Sequence, residues 1–265
     1  MTRTRTILAC LAAFAMAPAA QANDFPRLDE ALPLTIDISV NYPGFDFDTD
    51  GCLPSAGIGR SGQQNGGLKP TGSITGGCRA SNFLDLSNTL HRHACIASAG
   101  NTYCGHFYAL YFLKDQISAL GGGHRHDWEH AAIWTTNGVV THGSYSAHGA
   151  LITAAAATLP FENGHLKIVY HKDGFGTHAM RFAKAGEVAE NPYGQFVTPV
   201  VVSWYTMHGD GVTNEQMRNK LNAFDYGSAI IPLKDSNFLT NLNTYKPAGY
   251  PEFTQESLEA SNPFP

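Results

Sequence analysis

The sequence predicts a mainly β protein, an antiparallel β-sandwich formed by a single domain over residues 23–265. Short runs of β-favouring residues recur at close spacing along the chain. Two of these runs end at Asn137-Gly138 and Asp173-Gly174, dipeptides typical of tight hairpin turns. Few segments have helical spacing, so the pattern argues against alternating strand and helix units and favours a sandwich.

The first 22 residues have the composition of a secretory signal peptide. Arg3 and Arg5 precede an apolar run over residues 7–17 and a small-residue cleavage signal that ends at Ala22. The run is shorter than the roughly 20 apolar residues that span a bilayer. We therefore predict a signal peptide over residues 1–22, secretion to the extracellular space, and no membrane-spanning segment in the rest of the chain.

The charge balance disfavours one class of partner. Without the two arginines of the signal peptide, the chain has 15 basic and 22 acidic residues, a net charge of −7. Proteins that bind nucleic acid neutralise phosphates with basic patches, and anionic lipid surfaces attract basic segments. We therefore expect neither nucleic acid as a partner nor simple electrostatic adsorption to an anionic membrane.

The cysteines predict two disulfides. Four remain after the signal peptide, an even number that suits an exported chain. Cys95 and Cys104 are close in sequence and have a Gly-Asn turn signal between them, so we pair them, and Cys52 then pairs with Cys78. A zinc site is the alternative, but the chain has no C-x2-C spacing.

Local patterns predict the remaining elements. Strands are expected over residues 106–113, 130–136, 139–142, 166–171 and 196–204. Helices are expected over the alanine-rich residues 149–158 and over residues 214–224, where apolar side chains recur at helical spacing. Residues 23–77 predict loops with short strands, and residues 247–265 an extended tail on the surface.

Residues capable of binding a metal are concentrated in residues 121–130, GGGHRHDWEH. The β-favouring residues that follow indicate a strand, on which Asp127 and Glu129 point to one face and His126, Trp128 and His130 to the other. The same letters match the H-x-x-E-H motif of zinc hydrolases, but that motif requires a helix. A simpler alternative is that the two acids pair with Arg125 or with a histidine.

The neighbouring residues favour a hard cation. We expect the three glycines before His124 to let its side chain turn inward beside Asp127 and Glu129. Two carboxylates and one imidazole suit Mg²⁺, Ca²⁺ or Mn²⁺ better than Zn²⁺. The sequence therefore predicts a divalent cation as cofactor and no catalytic residues.

A second acidic segment resembles half of a calcium-binding loop. Asp46, Asp48 and Asp50 occupy positions 1, 3 and 5 of an EF-hand pattern, and Gly51 occupies position 6. Position 12 is Gly57, so the bidentate glutamate is missing. The segment is either a shortened calcium loop or a solvated acidic turn.

Other histidines and aromatic residues are assigned to packing. His91, His93 and His106 are interpreted as surface or packing residues, because nothing near them in sequence completes a metal shell. Trp204 and Tyr205 are candidates for contact with a bilayer, although a position in a core strand suits them better.

Four segments resemble a known family. Residues 123–129, GHRHDWE, are identical to the heptapeptide that marks the necrosis-inducing (Nep1-like) proteins. Residues 108–115, 177–183 and 227–238 are similar to three further segments of that family, and the resemblance extends over roughly residues 34–242. The second cysteine pair and its neighbours resemble the subgroup with two disulfides.

The resemblance implies a fold, an activity and a site. The fold would be a β-sandwich with flanking helices, similar to actinoporins and fungal lectins. The activity would be lysis of plant cells through glycosylinositol phosphorylceramide headgroups, and plant immune receptors would be further partners. The implied metal ligands are Asp115, His124, Asp127 and Glu129, and the implied supporting residue is His178; we add His126 as a second neighbour of the ligands.

Three functional classes follow. The chain is a secreted cytolytic toxin and virulence factor, a non-cytolytic protein of the same fold that binds glycans or lipid headgroups, or a metal-dependent hydrolase of a plant surface polymer. The intact heptapeptide favours the first class. The strand context of the acidic cluster and the lack of a nucleophile triad disfavour the third.

Overall fold

The structure is a computed structural model that describes residues 24–264. The predicted signal peptide, residues 1–22, lies outside this range. The strands are β1 (Gly44–Phe47), β2 (Thr89–Ser98), β3 (Asn101–Ser118), β4 (Gly121–Thr136), β5 (Val139–Ala147), β6 (Ala150–Ala155), β7 (Phe161–Glu162), β8 (His165–Lys172), β9 (His178–Phe182) and β10 (Val201–Ser203). The helices are α1 (Asn214–Ala223), α2 (Phe238–Tyr245) and α3 (Gln255–Glu259).

The strands form two sheets. The larger has the order β10-β2-β3-β4-β5-β6, and the smaller has the order β1-β8-β7, with β9 also paired to β8. Neighbouring strands are antiparallel except for two pairs, β1 with β8 and β10 with β2. The predicted mainly β sandwich is therefore confirmed, with mixed sheets instead of purely antiparallel ones.

The two sheets pack face to face around an aromatic core. Phe112 of β3 stacks on Tyr170 of β8 with ring centroids 3.8 Å apart, and Phe47 of β1 contacts the same Phe112 edge-on. Farther along, Tyr145 of β5 meets Phe182 of β9. This face of the large sheet contains the candidate site, so the same packing that forms the core also positions the site.

The helices cover the opposite face of the large sheet. Phe238 of α2 packs edge-on against Phe107 of β3, and Met217 and Leu221 of α1 are fully buried. Helix α1 begins at a capping box in which the Thr213 side chain accepts a hydrogen bond from the backbone N–H three residues later. The helix predicted over residues 214–224 is confirmed, as are the flanking helices.

Two predicted elements are wrong. The alanine-rich residues 149–158 form strand β6 and a 3₁₀ turn, because β5 offers a partner edge and pairs Tyr145 with Ile152. The C-terminal residues are not wholly extended, since α3 lies among them, capped by the Thr254 hydroxyl. Of the strand expected over residues 196–204, only β10 forms.

Both predicted disulfides are confirmed. Cys95 and Cys104 are direct register partners on β2 and β3 and form one bond, and Cys52 and Cys78 form the other. The second disulfide joins loops of residues 24–88, a region with little regular structure of its own. Among the described residues, no helix has the length and hydropathy required to cross a bilayer.

Candidate metal centre

Three of the four predicted ligands meet near the turn end of the β3–β4 hairpin. Asp115 of β3 and His124 of β4 are register partners, and Asp127 lies opposite Phe112. One ligand atom from each of the three side chains lies within 4.8 Å of the others. The sequence prediction of an oxygen-rich cluster with one imidazole is therefore matched by the geometry.

A single residue with left-handed backbone lets His124 and Asp127 face the same space. They are three positions apart, so regular alternation along a strand would send them to opposite faces. His126 lies between them with φ of 63°, a conformation uncommon outside glycine. We attribute the inward position of His124 to this break in alternation as well as to the preceding glycines.

Backbone and side-chain contacts orient Asp115 and His124. His178 is buried and donates its backbone N–H to Asp115 Oδ1 over 2.9 Å, and its Nδ1 lies 2.8 Å from the same oxygen. His124 Nδ1 lies 2.6 Å from the backbone oxygen of His126. His178 thus contacts a predicted ligand directly, whereas His126 supports the site through its backbone.

Two supporting contacts were not predicted from the sequence. The Tyr170 hydroxyl donates to Asp127 Oδ2 over 3.0 Å, and the Ser146 hydroxyl donates to Glu129. Tyr170 lies on β8 of the other sheet and Ser146 on β5. No local pattern marks either residue, because only the pairing and stacking of sheets bring them near the acids.

The electrostatics of the cluster favour a bound cation. Burial raises the pKa of Asp127 well above its usual value, and the nearby Asp115 charge raises it further. Burial likewise raises the pKa of Glu129, and the Asp127 charge adds to the effect. Within the described part of the chain, no lysine or arginine forms a salt bridge with these acids, so a divalent cation would relieve their mutual repulsion.

The donor set fits a hard divalent cation. Asp115, His124 and Asp127 offer two carboxylates and one imidazole, and Glu129 lies on the wall of the same cavity but outside the 4.8 Å group. Such oxygen-rich sets suit Ca²⁺, Mg²⁺ or Mn²⁺, which also retain water or substrate oxygens in open positions. The residues thus fit the predicted cofactor class.

The zinc-hydrolase alternative fails on geometry. His126 and His130 lie on a strand, not on a helix. His126 contacts the Tyr111 hydroxyl over 2.6 Å, and His130 stacks on Phe107. Their side chains therefore point away from the acids, as strand alternation predicted, and cannot join Glu129 in the arrangement that the motif requires.

The acidic cluster lines a cavity of about 600 Å³, within the usual range for small-molecule sites. One wall carries the acids and His178, and another is formed by the N-terminal half of α2 and the loop before it. The rim residues outside the acidic wall include His148, Gly149, Ser228, Ile230, Asn237, Thr240, Asn241 and Tyr245. The cavity offers both apolar surface and hydrogen-bonding groups to an occupant larger than an ion.

The half calcium loop has a different arrangement. Both carboxylate oxygens of Asp46 accept backbone N–H groups of Glu190 and Asn191, and Asp48 lies 3.5 Å from Arg181. Burial raises the pKa of Asp48 to about 6. With Asp50, these residues do not form a group of converging ligand atoms in the described range. Calcium binding at this loop stays a prediction.

The structure decides between the alternatives for the histidines and the two aromatic residues. His91 and His93 are buried, which agrees with packing and not with the surface, and the sheet brings the buried His106, fifteen residues after His91, beside them. Trp204 and Tyr205 are core residues that pack around the Arg92 guanidinium, so neither is a bilayer contact.

Comparisons with known proteins agree with this class of fold. NLP effector protein 10 of Phytophthora capsici is 32% identical over 211 residues, which cover 77% of this chain and 80% of that protein. The solved structure of NLPPya with glucosamine has a TM-score of 0.62 at 23% identity, covering 82% of this chain and 94% of that one; with mannosamine the TM-score is 0.64. The non-toxic HaNLP3 protein has a TM-score of 0.65 at 23% identity, covering 85% and 99%.

These likenesses define the chain as a protein with the necrosis-inducing toxin fold. Residues 39–245 match the family described as necrosis-inducing protein (NPP1), and the chain belongs to that family. Relatives of this chain are named as NLP effectors and necrosis-inducing proteins. The solved structures, at identities below 25%, establish the fold alone.

Proposed function

We propose that this protein is a secreted cytolytic toxin that binds glycosylinositol phosphorylceramide headgroups of plant plasma membranes through a bound divalent cation and then permeabilises the membrane. The observation that carries the proposal is the convergence of Asp115, His124 and Asp127 on the wall of a headgroup-sized cavity. Glu129 would complete the ligand set from the same wall. The family resemblance supplies the target lipid, and the cavity supplies a place for its sugar.

The role of the cation is positioning. A hard cation held by carboxylates retains exchangeable positions, and a sugar hydroxyl can replace a water there. Tyr170 and Ser146 hold Asp127 and Glu129 in place, while His178 holds Asp115. The headgroup would therefore bind at a cation whose carboxylate ligands are already held in place by hydrogen bonds.

Two exposed apolar side chains lie in turns that adjoin strands lining the cavity, and they suit contact with lipid. Leu120 lies at the turn between β3 and β4, and Phe175 lies in the turn before His178; both are fully exposed. The Lys172 ammonium donates to the Ile117 carbonyl over 2.6 Å and joins the two turns. Apolar groups held beside a headgroup site can enter the interface once the headgroup is bound.

The test is dye release from liposomes with and without plant glycosylinositol phosphorylceramides. We expect release that requires the lipid, is abolished by a chelator, and is lost in Asp127→Asn, which keeps the shape and the acceptor for Tyr170. Glu215→Gln, an exposed acid on α1, is the matched control and should release dye as the parent does. Release that is indifferent to lipid or to Asp127 would overturn the proposal.

A second candidate is a non-cytolytic binder of the same headgroups. The likeness to the non-toxic HaNLP3 protein motivates it, since that structure matches this chain as well as the one described as a toxin fold does, and the fold alone does not separate lysis from binding. In this case the protein would bind vesicles that carry the lipid, in a cation-dependent way, but release no dye. Vesicle co-sedimentation run beside the release assay separates the two functions.

A further inference from the structure

Three imidazoles meet inside the large sheet, on the face that packs against the small sheet. His91 and His93 of β2 and His106 of β3 each offer one nitrogen, and these nitrogens lie within 4.8 Å of one another. His93 and His106 are register partners, and His91 Nε2 lies 3.4 Å from His106 Nδ1. The group lies nine residues before Asp115 along β3, roughly 30 Å of extended strand away, so it is separate from the acidic site.

All three side chains are buried and neutral. Burial lowers the pKa of each ring well below the usual value, and lowers that of His93 to about 4. Neutral imidazoles keep a lone pair on one ring nitrogen, which is the form that binds metal ions. The group is therefore competent to bind an ion at neutral pH without first losing protons.

Hydrogen bonds account for some of the ring nitrogens and leave one without a partner. The Ser203 hydroxyl lies 3.2 Å from His91 Nδ1, and the Thr35 hydroxyl lies 3.2 Å from His93 Nε2. His106 Nε2 is buried and has no hydrogen-bond partner in the described part of the protein. Hydroxyls that hydrogen-bond to two of the rings, together with a buried ring nitrogen that has no partner, resemble the surroundings of a bound metal.

The surrounding frame is rigid. Cys95 and Cys104 form the second register pair beyond His93 and His106, the next pair on the same face, and their disulfide cross-links that end of the ladder. On the other side of β2, strand β10 places Ser203 opposite His91. A ligand set held by a covalent cross-link and three paired strands loses little conformational freedom when it binds an ion.

We propose that His91, His93 and His106 form a structural binding site for a transition-metal ion of the zinc class. Imidazole ligands suit Zn²⁺, Cu²⁺ and Ni²⁺, whereas Ca²⁺ and Mg²⁺ require oxygen ligands. Three histidines leave a fourth position for water, as in other three-histidine sites. The ion stabilises the β2–β3 ladder and takes no part in the headgroup site.

Co²⁺, a spectroscopic substitute for zinc, tests the proposal. The Asp127→Asn chain, in which the acidic site is weakened by the loss of one carboxylate, is refolded with its disulfides intact in the presence of Co²⁺ and then desalted. Refolding is used because the three rings are buried. We expect about one equivalent of metal per chain, visible absorption bands typical of nitrogen ligation, a higher Tm than the metal-free protein, and displacement by Zn²⁺ but not by Ca²⁺.

Matched variants separate the cluster from buried histidines in general. In the same background, His93→Gln and His106→Gln should lose the metal and the increase in Tm. His130→Gln removes an equally buried histidine outside the cluster, with unpartnered ring nitrogens of its own, and should keep both. A correctly refolded Asp127→Asn chain that retains no Co²⁺ overturns the proposal even if the cluster variants fail to fold, and so does retention of the metal by His106→Gln.

Discussion

At the scale of single residues, the acids of the candidate metal centre favour metal binding but destabilise the metal-free protein. Asp127 and Glu129 are buried beside Asp115, and their raised pKa values show that ionisation in the metal-free protein is unfavourable. Hydrogen bonds from the Tyr170 hydroxyl and the Trp128 backbone partly offset this for Asp127, and one from the Ser146 hydroxyl does so for Glu129. A group retained at such a cost is typical of a functional site.

Substitution of Asp127 should therefore have opposite effects with and without metal. In a chelator, we expect Asp127→Asn to raise the free energy of unfolding by on the order of 1 kcal/mol, a size ordinary for single substitutions, because the amide removes a buried charge beside Asp115. With excess Ca²⁺ or Mg²⁺ the parent should gain stability and the variant should not. Thermal unfolding under both conditions measures this, and a metal-induced gain in the variant would contradict the assigned ligand.

Metal affinity should fall with acidity. Because Asp127 and Glu129 have raised pKa values in the empty fold, lowering the pH protonates them first, and the cation must then displace those protons. Over the same pH range, protonation removes the unfavourable buried charges from the metal-free protein and so stabilises it relative to the metal-bound form. We expect affinity for Ca²⁺ to decrease by about ten-fold per pH unit for each displaced proton, measured by calorimetry from pH 7 to pH 5; a constant affinity would contradict it.

At the scale of elements, the β3–β4 hairpin depends on glycine for a steric reason. Gly123 has φ of 95°, and a Cβ there would lie 2.2 Å from the Asp115 backbone oxygen. Gly138, in the β4–β5 turn, also has positive φ, but open space surrounds its missing Cβ. A side chain at Gly138 would meet backbone strain alone, whereas one at Gly123 would also clash with a neighbouring backbone atom.

Alanine substitutions at these glycines should therefore differ in severity. We expect Gly138→Ala to destabilise by about 1 kcal/mol through left-handed strain alone. Gly123→Ala should destabilise by more, in the range of about 2–4 kcal/mol typical of severe substitutions, and should also weaken metal binding because it displaces Asp115. Urea unfolding of both variants provides the comparison. Equal losses of stability would show that the backbone near Asp115 shifts to accommodate the new Cβ without a free-energy cost, and would contradict the prediction.

The β2–β3 ladder should make the metal-free protein sensitive to acid. Histidines with folded pKa values below the unfolded one stabilise fully above pH of about 6.5 and lose that contribution as pH falls toward the folded value. For His93 that value is about 4. Each such group reduces stability by up to about 1.4 kcal/mol per pH unit. Urea unfolding in a chelator at pH 7, 6 and 5 should show a smaller slope for His93→Gln than for the parent; equal slopes would argue against a buried neutral His93.

Element prediction failed where a sheet edge decided the outcome. Residues 150–155 are rich in alanine, which favours helix in isolation. In the folded chain β5 presents an unpaired edge next to them, and six register pairs form. Hydrogen bonds to a neighbouring strand outweigh an intrinsic preference that amounts to a few tenths of a kcal/mol per residue.

At the scale of the whole molecule, the exposed apolar turns provide a prediction about membrane action. Leu120→Ser and Phe175→Ser together should reduce dye release from vesicles with the plant lipid by ten-fold or more, since each removes apolar surface that would enter the interface. Their full exposure predicts no loss in Tm. Val188→Ser, an exposed apolar residue elsewhere, is the control. Undiminished release by the double variant would remove these turns from the proposed mechanism.

The sequence by itself determined the class of fold, both disulfides and the acidic cluster. Alternation with a period of two, hairpin dipeptides and a short cysteine loop are local signals, because each depends on residues within about ten positions. The heptapeptide placed Asp127, Glu129 and His124 on one strand and marked the family. Asp115 followed from the neighbouring aromatic strand, whose resemblance placed it next to the hairpin.

Only the tertiary structure decided which distant residues complete each site. Tyr170 and Ser146 reach the acids across a sheet interface and a strand pair, and His106 joins His91 and His93 through antiparallel register. The alanine-rich strand likewise depended on a partner edge. Such contacts join positions separated by 15 to 43 residues, and they arise from burial and pairing that no local pattern encodes, because many registers and packings satisfy the same alternation.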